Sequence, residues 1–211
     1  MKIQAVIFDM DGVLIDARDW HYHALNEALG IFGVEISYSE HLERFDGLPT
    51  KGKLQALAEE GRIPGKLMAT IEAVKQERTL RAAANLCFPR IEHIVMLSEL
   101  RRRGLSLAVA TNSIRSTTQT MLAYAGVIEF MDDVVTNEDV KKPKPDPDVY
   151  LMACSNLGVK PECVLVVEDN VNGVRAAKAA GCNVLEVSQP SDLDLGLLDK
   201  RLTELRSGED E

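Results

Sequence analysis

The chain has 211 residues, of which 45% are hydrophobic and 27% are charged. This composition is typical of a globular protein, and the length suits one large domain or a core domain with a modest insertion. The formal net charge of −9 argues against nucleic acid as a partner, because phosphate backbones attract basic surfaces. A local site for a small anion remains compatible with an acidic protein.

The sequence also carries expectations about the compartment. The first apolar stretch ends at Asp9 and is therefore too short for a signal peptide. No apolar run approaches membrane-spanning length. The four cysteines are widely spaced and form no Cys-x-x-Cys motif, so we expect buried free thiols. We therefore expect a cytoplasmic protein that does not bind membranes. We also expect a monomer or a weak dimer.

The first part of the chain is predicted to be one strand followed by helices. Residues 3–8 are apolar and precede a turn that contains glycine, which predicts a strand buried on both faces. Residues 16–30 have helical spacing, with Trp20 and Leu25 on one apolar stripe. Further helices are predicted at residues 39–45, 50–60 and 67–86. About seventy residues after the first strand are thus expected to be wholly helical.

The remaining chain alternates between strands and helices. Strands are predicted at residues 105–110, 133–136, 164–167 and 183–187. Helices are predicted at residues 91–103, 113–125, 146–157, 171–180 and 193–205, followed by an acidic tail at residues 208–211. Such alternation is typical of βαβ units with a parallel sheet. The predicted fold is an α/β, Rossmann-like parallel-sheet core with helices on both faces, plus a small all-helical cap inserted after the first strand.

Four short polar segments follow predicted strands or turns. They are Asp9-Met10-Asp11-Gly12, Thr111-Asn112-Ser113, Lys142-Pro143-Lys144-Pro145-Asp146 and Glu168-Asp169-Asn170. Ligands of parallel α/β sheets bind at the carboxyl ends of the strands, so we expect these segments to meet there. Together they offer carboxylates, a hydroxyl and a lysine, which suits Mg²⁺-assisted phosphoryl transfer through an aspartyl-phosphate.

Asp9 and Asp11 are the predicted catalytic pair. Residues i and i+2 of an extended segment point the same way, so both carboxylates can face one phosphate. Asp9 would attack phosphorus in line, and Asp11 would protonate the leaving oxygen and then take a proton from water or a hydroxyl. Gly12 permits the tight turn that follows. The alternative is a strand end with acidic turn residues.

The other three segments are assigned supporting roles. Thr111 and Asn112 are predicted to bind phosphate at a helix N-terminus, with helix capping as the alternative. Lys142, held in a proline-rich turn, is predicted to offset charge on Asp9 and on the phosphoryl group; the alternative is an exposed basic turn. Glu168 and Asp169 are predicted to complete an Mg²⁺ site with Asp9, against capping of the next helix.

These motifs resemble the haloacid dehalogenase-like hydrolase superfamily, and most closely its β-phosphoglucomutase-like branch. The resemblance rests on Phe-Asp-Met-Asp-Gly-Val-Leu-Ile-Asp at the start, Lys-Pro-x-Pro-Asp and Glu-Asp-Asn, and it covers essentially the whole chain. It implies that Asp9 is the nucleophile and Asp11 the acid and base, whose backbone carbonyl also ligates Mg²⁺. It further implies that Thr111 binds phosphate and that Lys142 steadies the phosphoaspartate. Asp169, with Glu168 beside it, is implied to ligate the metal.

The resemblance also implies a domain division. Residues 1–15 and 87–211 would form the phosphatase core, and residues 16–86 a cap that closes over the substrate and excludes water. The cap residues that resemble substrate-facing elements are His21, Thr50 and Lys51. A packed helix histidine is the alternative for His21. In the mutases an arginine for the distal phosphate stands where this chain has Thr50, and Lys51 or Lys53 is a candidate replacement.

Three functions follow from these expectations. The first is a Mg²⁺-dependent phosphatase for a small phosphorylated metabolite, with a sugar phosphate as the expected substrate. The second is a sugar-phosphate mutase, in which a sugar hydroxyl replaces water as the acceptor; Thr50 is the feature against it. The third is a non-catalytic binding protein, which the fold alone would permit.

Overall fold

The computed structural model describes residues 2–208, so residues 209–211 of the predicted acidic tail lie outside the described residues. Five parallel strands form one sheet in the order β3-β2-β1-β4-β5. The strands are β1 (Ala5–Phe8), β2 (Ser106–Ala110), β3 (Asp133–Val135), β4 (Val164–Glu168) and β5 (Asn183–Glu186). The prediction of an α/β fold with a parallel sheet is confirmed.

Helices connect these strands and fill the segment between β1 and β2. The α-helices of the described residues are α1 (Arg18–Gly30), α2 (Tyr38–Glu40), α3 (Thr50–Glu59), α4 (Met68–Leu86), α5 (Ile91–Arg102), α6 (Arg115–Tyr124), α7 (Asp148–Leu157), α8 (Val171–Ala179) and α9 (Leu195–Ser207). The helix α2 continues as a π-helical turn, His41–Phe45. Single 3₁₀ turns lie at Gly65–Leu67, Ile128–Phe130, Pro161–Cys163 and Pro190–Asp192.

The register of the central strands brings the predicted motifs to one edge. Phe8 of β1 is paired with Val109 of β2 and with Val167 of β4. Because parallel strands end on the same side, the residues that follow these three meet at the carboxyl edge. Asp9 therefore lies between the ends of β2 and β4.

The apolar side chains form three clusters. Alternate residues of β1 point to opposite faces, so that Val6 and Phe8 join one cluster and Ala5 and Ile7 join another. A third cluster is built from residues between Leu25 and Ile71, within the predicted cap. The division of the chain into a core (residues 1–15 and 87–211) and a cap (residues 16–86) stays a prediction.

Several helices begin two residues later than predicted. The helices α1, α6 and α7 were expected to begin at residues 16, 113 and 146, but they begin at Arg18, Arg115 and Asp148. In each case the two preceding residues belong to the loop that leaves the sheet edge. For Ser113 the reason is visible, since its N–H is bonded to the Thr111 hydroxyl and its own hydroxyl donates to Asp11.

The structure bears on the expectations of buried free thiols and of no membrane-spanning segment. All four cysteines are free, as expected, but Cys163 is half-buried and not buried. The thiols of Cys154 and Cys182 lie 3.9 Å apart inside the second cluster. Within residues 2–208, no helix is both long enough and apolar enough to cross a membrane.

Candidate active site

A cleft of roughly 770 Å³, counting space open to solvent, lies between the carboxyl edge of the sheet and the helical segment. The cleft brings together most of the predicted site residues. Those that line it are Asp9, Asp11, His21, Thr50, Thr111, Asn112 and Asp169. Glu168 is fully buried beside them, whereas Lys142 and Lys51 do not line the cleft.

Lys144 is the lysine at the centre of the site. Its Nζ donates to Oδ1 of Asp9 and to Oε1 of Glu168, each at 2.6 Å. Burial lowers the pKa of this ammonium, but the two carboxylates outweigh that effect and raise it above its usual value. Burial also raises the pKa of Asp9 well above normal, with Lys144 opposing and nearby carboxylates adding to the rise. The buried lysine is therefore charged and joins the ends of β1 and β4.

The prediction that Lys142 contacts Asp9 is wrong. The Lys142 side chain is 69% exposed and lies 3.5 Å from Asp146 on the surface, whereas that of Lys144 is 2% exposed. Both lysines fit the motif, because Lys-Pro-x-Pro-Asp occurs twice, at residues 142–146 and again at residues 144–148, so the motif by itself does not distinguish them. The second copy leads directly into α7, which begins at Asp148.

Glu168 is saturated with hydrogen bonds from the protein. Its Oε1 accepts from Lys144 and from the Tyr150 hydroxyl at 2.6 Å, and its Oε2 accepts from the backbone N–H groups of Asp169 and Asn170. A carboxylate has about four acceptor positions, so all of them are used. Gly173 is needed for this arrangement, since a Cβ there would lie 1.7 Å from Oε1. Glu168 thus holds Lys144 and the loop after β4 in place.

Asp9, Glu168 and Asp169 form an acidic cluster. Each offers an oxygen within 4.8 Å of the others. Burial and Glu168 raise the pKa of Asp169 to about 6, although Arg18 opposes the rise with a hydrogen bond of 2.9 Å to Oδ2. Hard divalent cations prefer oxygen ligands of this kind, and crowded carboxylates are relieved by such a cation. The cluster therefore fits the predicted Mg²⁺ through Asp9 and Asp169, whereas the oxygens of Glu168 are already occupied.

Gly12 lies against the same cluster. It has φ of +86°, as the predicted tight turn requires, and a Cβ there would lie 2.0 Å from Oδ2 of Asp169. A side chain at this position would displace the carboxylate. The turn after β1 and the acidic pair after β4 are therefore in direct contact.

Asp11 is held by groups from both sides of the cleft. The Ser113 hydroxyl donates to its Oδ2 at 2.8 Å, and Nε2 of His21 lies 3.1 Å from the same oxygen. Burial acts to raise the pKa of Asp11, but His21 and Ser113 outweigh it, so the pKa is lowered. On its other side, Nδ1 of His21 lies 3.0 Å from Nζ of Lys75. A donating Lys75 leaves the proton on Nε2, which faces Asp11.

Thr111 and Asn112 both line the cleft, but their side chains make different hydrogen bonds. The hydroxyl of Thr111 is buried and accepts from the N–H of Ser113. The Asn112 amide donates to the carbonyl oxygens of Gly47 and Lys144 and accepts from the N–H of Lys144. Asn112 therefore links three loops, and α6 begins without a side-chain cap from it. After β4, Asn170 caps α8, as the alternative reading allowed.

The helical side of the cleft carries two buried lysines that the sequence did not single out as a pair. Lys53 and Lys75 are both buried, and burial lowers their pKa values to about 8 and about 7. The backbone N–H of Lys53 donates to the Pro49 carbonyl, but its side-chain ammonium has no hydrogen-bond or ion-pair partner among residues 2–208. Thr50 lines the cleft as predicted, but Lys51 is exposed, because it falls on the outer side of α3. Lys53, three residues after Thr50, takes the inward position.

The sequence model of the haloacid dehalogenase-like hydrolase family matches residues 6–187. The chain is similar to the phosphorylated carbohydrates phosphatase of Thermotoga maritima, at 33% identity over 85% of this chain and 82% of that protein. It is also similar to fructose-1-phosphate phosphatase YqaB of Escherichia coli, at 30% identity over 88% of this chain and 97% of that protein.

A solved structure with the same fold is a mutant of CbbY from Rhodobacter sphaeroides in complex with xylulose-(1,5)bisphosphate. It superimposes with a TM-score of 0.79 at 29% identity, over 87% of this chain and 85% of that chain. The protein belongs to the haloacid dehalogenase-like hydrolase family. The expected family and the expected class of enzyme, a phosphoric monoester hydrolase, are confirmed.

Proposed function

We propose that this enzyme is a Mg²⁺-dependent phosphatase for a small phosphorylated carbohydrate and that it works through an aspartyl-phosphate. The observation that carries the proposal is the position of Asp9 at the end of β1. Its Oδ1 is held by Lys144, while its Oδ2 accepts no hydrogen bond from the described residues. A carboxylate fixed through one oxygen, with the other facing a cleft, suits a nucleophile.

The chemistry divides between Asp9 and Asp11. Asp9 Oδ2 forms a bond to phosphorus, and the carbohydrate oxygen leaves with a proton from Asp11. A water molecule then gives its proton to Asp11, attacks phosphorus and releases phosphate and free Asp9. The negative charge of a bound phosphoryl group favours protonated Asp11 for the first step. The lowered pKa of Asp11 in the free enzyme suits the second step.

Asp9 and Asp169 are the side chains that we assign to Mg²⁺, with the backbone carbonyl of Asp11 as the family resemblance implies. When bound, Mg²⁺ supplies stabilisation for the charge on the transferred phosphoryl group and offsets the repulsion among the carboxylates. Glu168 acts through Lys144, since its four acceptor positions are filled. Lys144 keeps positive charge beside the nucleophile, where negative charge accumulates during transfer.

The charges of the helical side support an anionic substrate. Arg18, Lys53 and Lys75 all line the cleft of a protein whose net charge is −9. Asp46 and Glu72 also line it, and Asp46 is 3.6 Å from Arg18. The relatives are named for phosphorylated carbohydrates and fructose 1-phosphate, which supports a sugar phosphate as the substrate.

Mutase activity is the second candidate, and Thr50 argues against it. A mutase must hold the distal phosphate of a bisphosphate intermediate while the sugar turns, and Thr50 offers a hydroxyl where relatives of that branch are implied to carry an arginine. A phosphate-release assay on a panel of sugar phosphates, run beside an isomerisation assay with a bisphosphate primer, separates the two. We expect phosphate release from at least one sugar phosphate and no isomerisation.

The nucleophile is tested by Asp9→Asn. We expect turnover to fall by at least about a thousandfold, because the amide is a poor nucleophile. Asp16→Asn is the matched control, since Asp16 is an exposed carboxylate in the same loop and does not line the cleft. Circular dichroism should show both variants folded. Near-normal phosphate release by Asp9→Asn would refute the assignment.

A further inference from the structure

Arg18 connects the helical segment to the acidic cluster of the sheet. It is the first residue of α1, and its Nη2 donates to Oδ2 of Asp169 at 2.9 Å. Its Nε lies 3.6 Å from Oδ2 of Asp46, in the loop before α3. One guanidinium therefore holds a carboxylate from the sheet edge and another from the segment between helices.

The Asp169 carboxylate has little freedom to turn away from Arg18. Its side chain is 3% exposed, and its Oδ1 accepts a hydrogen bond from the Asn170 amide at 3.2 Å. Its Oδ2 packs against Gly12 so closely that a Cβ there would lie 2.0 Å away. A cation that enters the acidic cluster thus meets a carboxylate whose direction is fixed and which already carries the Arg18 contact.

We propose that Arg18 sets the affinity of the acidic cluster for its divalent cation by competing for Asp169. This inference rests on the metal role of Asp9 and Asp169 in the proposed function. A guanidinium is permanently charged and cannot yield by losing its proton. It reduces the negative charge available at Oδ2, and it repels a second cation placed close by. Cation binding and the Arg18 contact should therefore weaken each other.

The surroundings of Arg18 allow its guanidinium to move away from Asp169. Its side chain is 34% exposed and lines the cleft, so the guanidinium has space beside Asp169. Asp46 remains available as an ion-pair partner after the contact with Asp169 is broken. The contact also joins α1 to the end of β4, so its loss would loosen the helical segment where the chain enters it. Metal occupancy and the position of α1 are then coupled.

The direct test is a calorimetric titration with Mg²⁺ alone, without substrate. Wild type, Arg18→Met and Arg44→Met are compared; Arg44 is an exposed arginine of the same segment whose ion-pair partners are Glu40 and Glu60. We expect Arg18→Met to bind Mg²⁺ about tenfold more tightly than wild type, within the range typical of coupled sites. Arg44→Met should match wild type. If Arg18→Met does not fold, Arg18→Gln serves the same comparison.

The reverse effect gives a second readout, because coupling between two binding events is reciprocal. Mg²⁺ should speed amide hydrogen exchange in the first turn of α1 in wild type and leave it unchanged in Arg18→Met. Equal or weaker Mg²⁺ affinity in Arg18→Met would overturn the inference while leaving the proposed function intact. No Mg²⁺ binding by wild type would overturn both the inference and the metal role of the proposed function.

Discussion

The ammonium nitrogen of Lys144 lies 2.6 Å from Oδ1 of Asp9, although 135 residues separate them in the chain. Lys144 follows β3, which is two strands away from β1, the central strand of the sheet. The same nitrogen contacts Glu168 at the end of β4. The positive charge at this point therefore depends on three separate segments folding together.

The first prediction follows from this contact. Lys144→Met should lower kcat by about a hundredfold or more, as the loss of a charged group beside the reacting atoms typically does. Lys142→Met is the matched control, because Lys142 is exposed and its ion-pair partner is Asp146 at the surface. We expect it to retain activity within about twofold of wild type. Steady-state phosphate release measures both, and the opposite order of the two variants would contradict the structure.

The second prediction concerns Tyr150, which is fully buried and donates to Glu168. Tyr150→Phe removes only this donor, and hydrogen bonds to charged groups contribute about 1.5–3 kcal/mol. We expect the free energy of unfolding to fall by about 2 kcal/mol, as measured with urea. Tyr124→Phe is the control, since Tyr124 is exposed, and it should change stability by less than about 0.5 kcal/mol. Equal effects would show that the Tyr150 hydroxyl contributes nothing specific.

The third prediction is that Lys75 destabilises the free protein. Burial lowers its pKa from 10.5 to about 7. Between about pH 7 and 10.5 the unfolded chain therefore binds more protons than the folded one. The destabilisation caused by Lys75 thus shrinks, and the free energy of unfolding of the wild type increases, as the pH rises through this range. Lys75→Met should lack this pH-dependent increase. It should be more stable than wild type near pH 6, by an amount on the order of a few kcal/mol.

Urea unfolding at pH 6 and pH 9.5 measures this effect. Lys66→Met is the control, because Lys66 is exposed and lies outside the cleft. It should show the same pH dependence as wild type. A Lys75→Met variant that is less stable than wild type at pH 6 would mean that the contact of the ammonium with Nδ1 of His21 outweighs the cost of its burial.

The fourth prediction tests the metal through removal and return. A chelator should abolish phosphate release, and added Mg²⁺ should restore it, because Asp9 and Asp169 otherwise repel the phosphoryl group. Mg²⁺ should also raise the melting temperature of the wild type, since a ligand of the folded state stabilises it. Asp169→Asn should show a smaller rise at the same Mg²⁺ concentration. Activity that is indifferent to chelation would remove the metal from the proposed function.

Apolar runs and glycine turns were sufficient to predict the strands. The run at residues 3–8 and the run at residues 164–167 lie on neighbouring strands, and both end in acids at the site. The errors of two residues at α1, α6 and α7 have a common origin. Helical propensity cannot tell a first helical turn from loop residues whose side chains and backbone groups serve a site.

Two pairs of lysines differ in burial although their local sequences are alike. Lys142 and Lys144 are two residues apart in a proline-rich turn, and both satisfy the same motif. Which of them is buried depends on how the turn packs under β1 and β4. Lys51 and Lys53 differ in the same way, because the orientation of α3 against the cleft decides which lysine faces inward.

Hydrophobic periodicity and short motifs by themselves determined the strands, the helices between β1 and β2 and the acids at the strand ends, since these depend on neighbours in the chain. Tertiary structure alone decided which ammonium groups are desolvated, that Glu168 is saturated, and that Arg18 lies on Asp169. The physical reason is that burial and ion pairing are set by how separate segments pack, from Tyr150 and Glu168 at a sequence separation of 18 to Arg18 and Asp169 at 151, and no local pattern contains those distances.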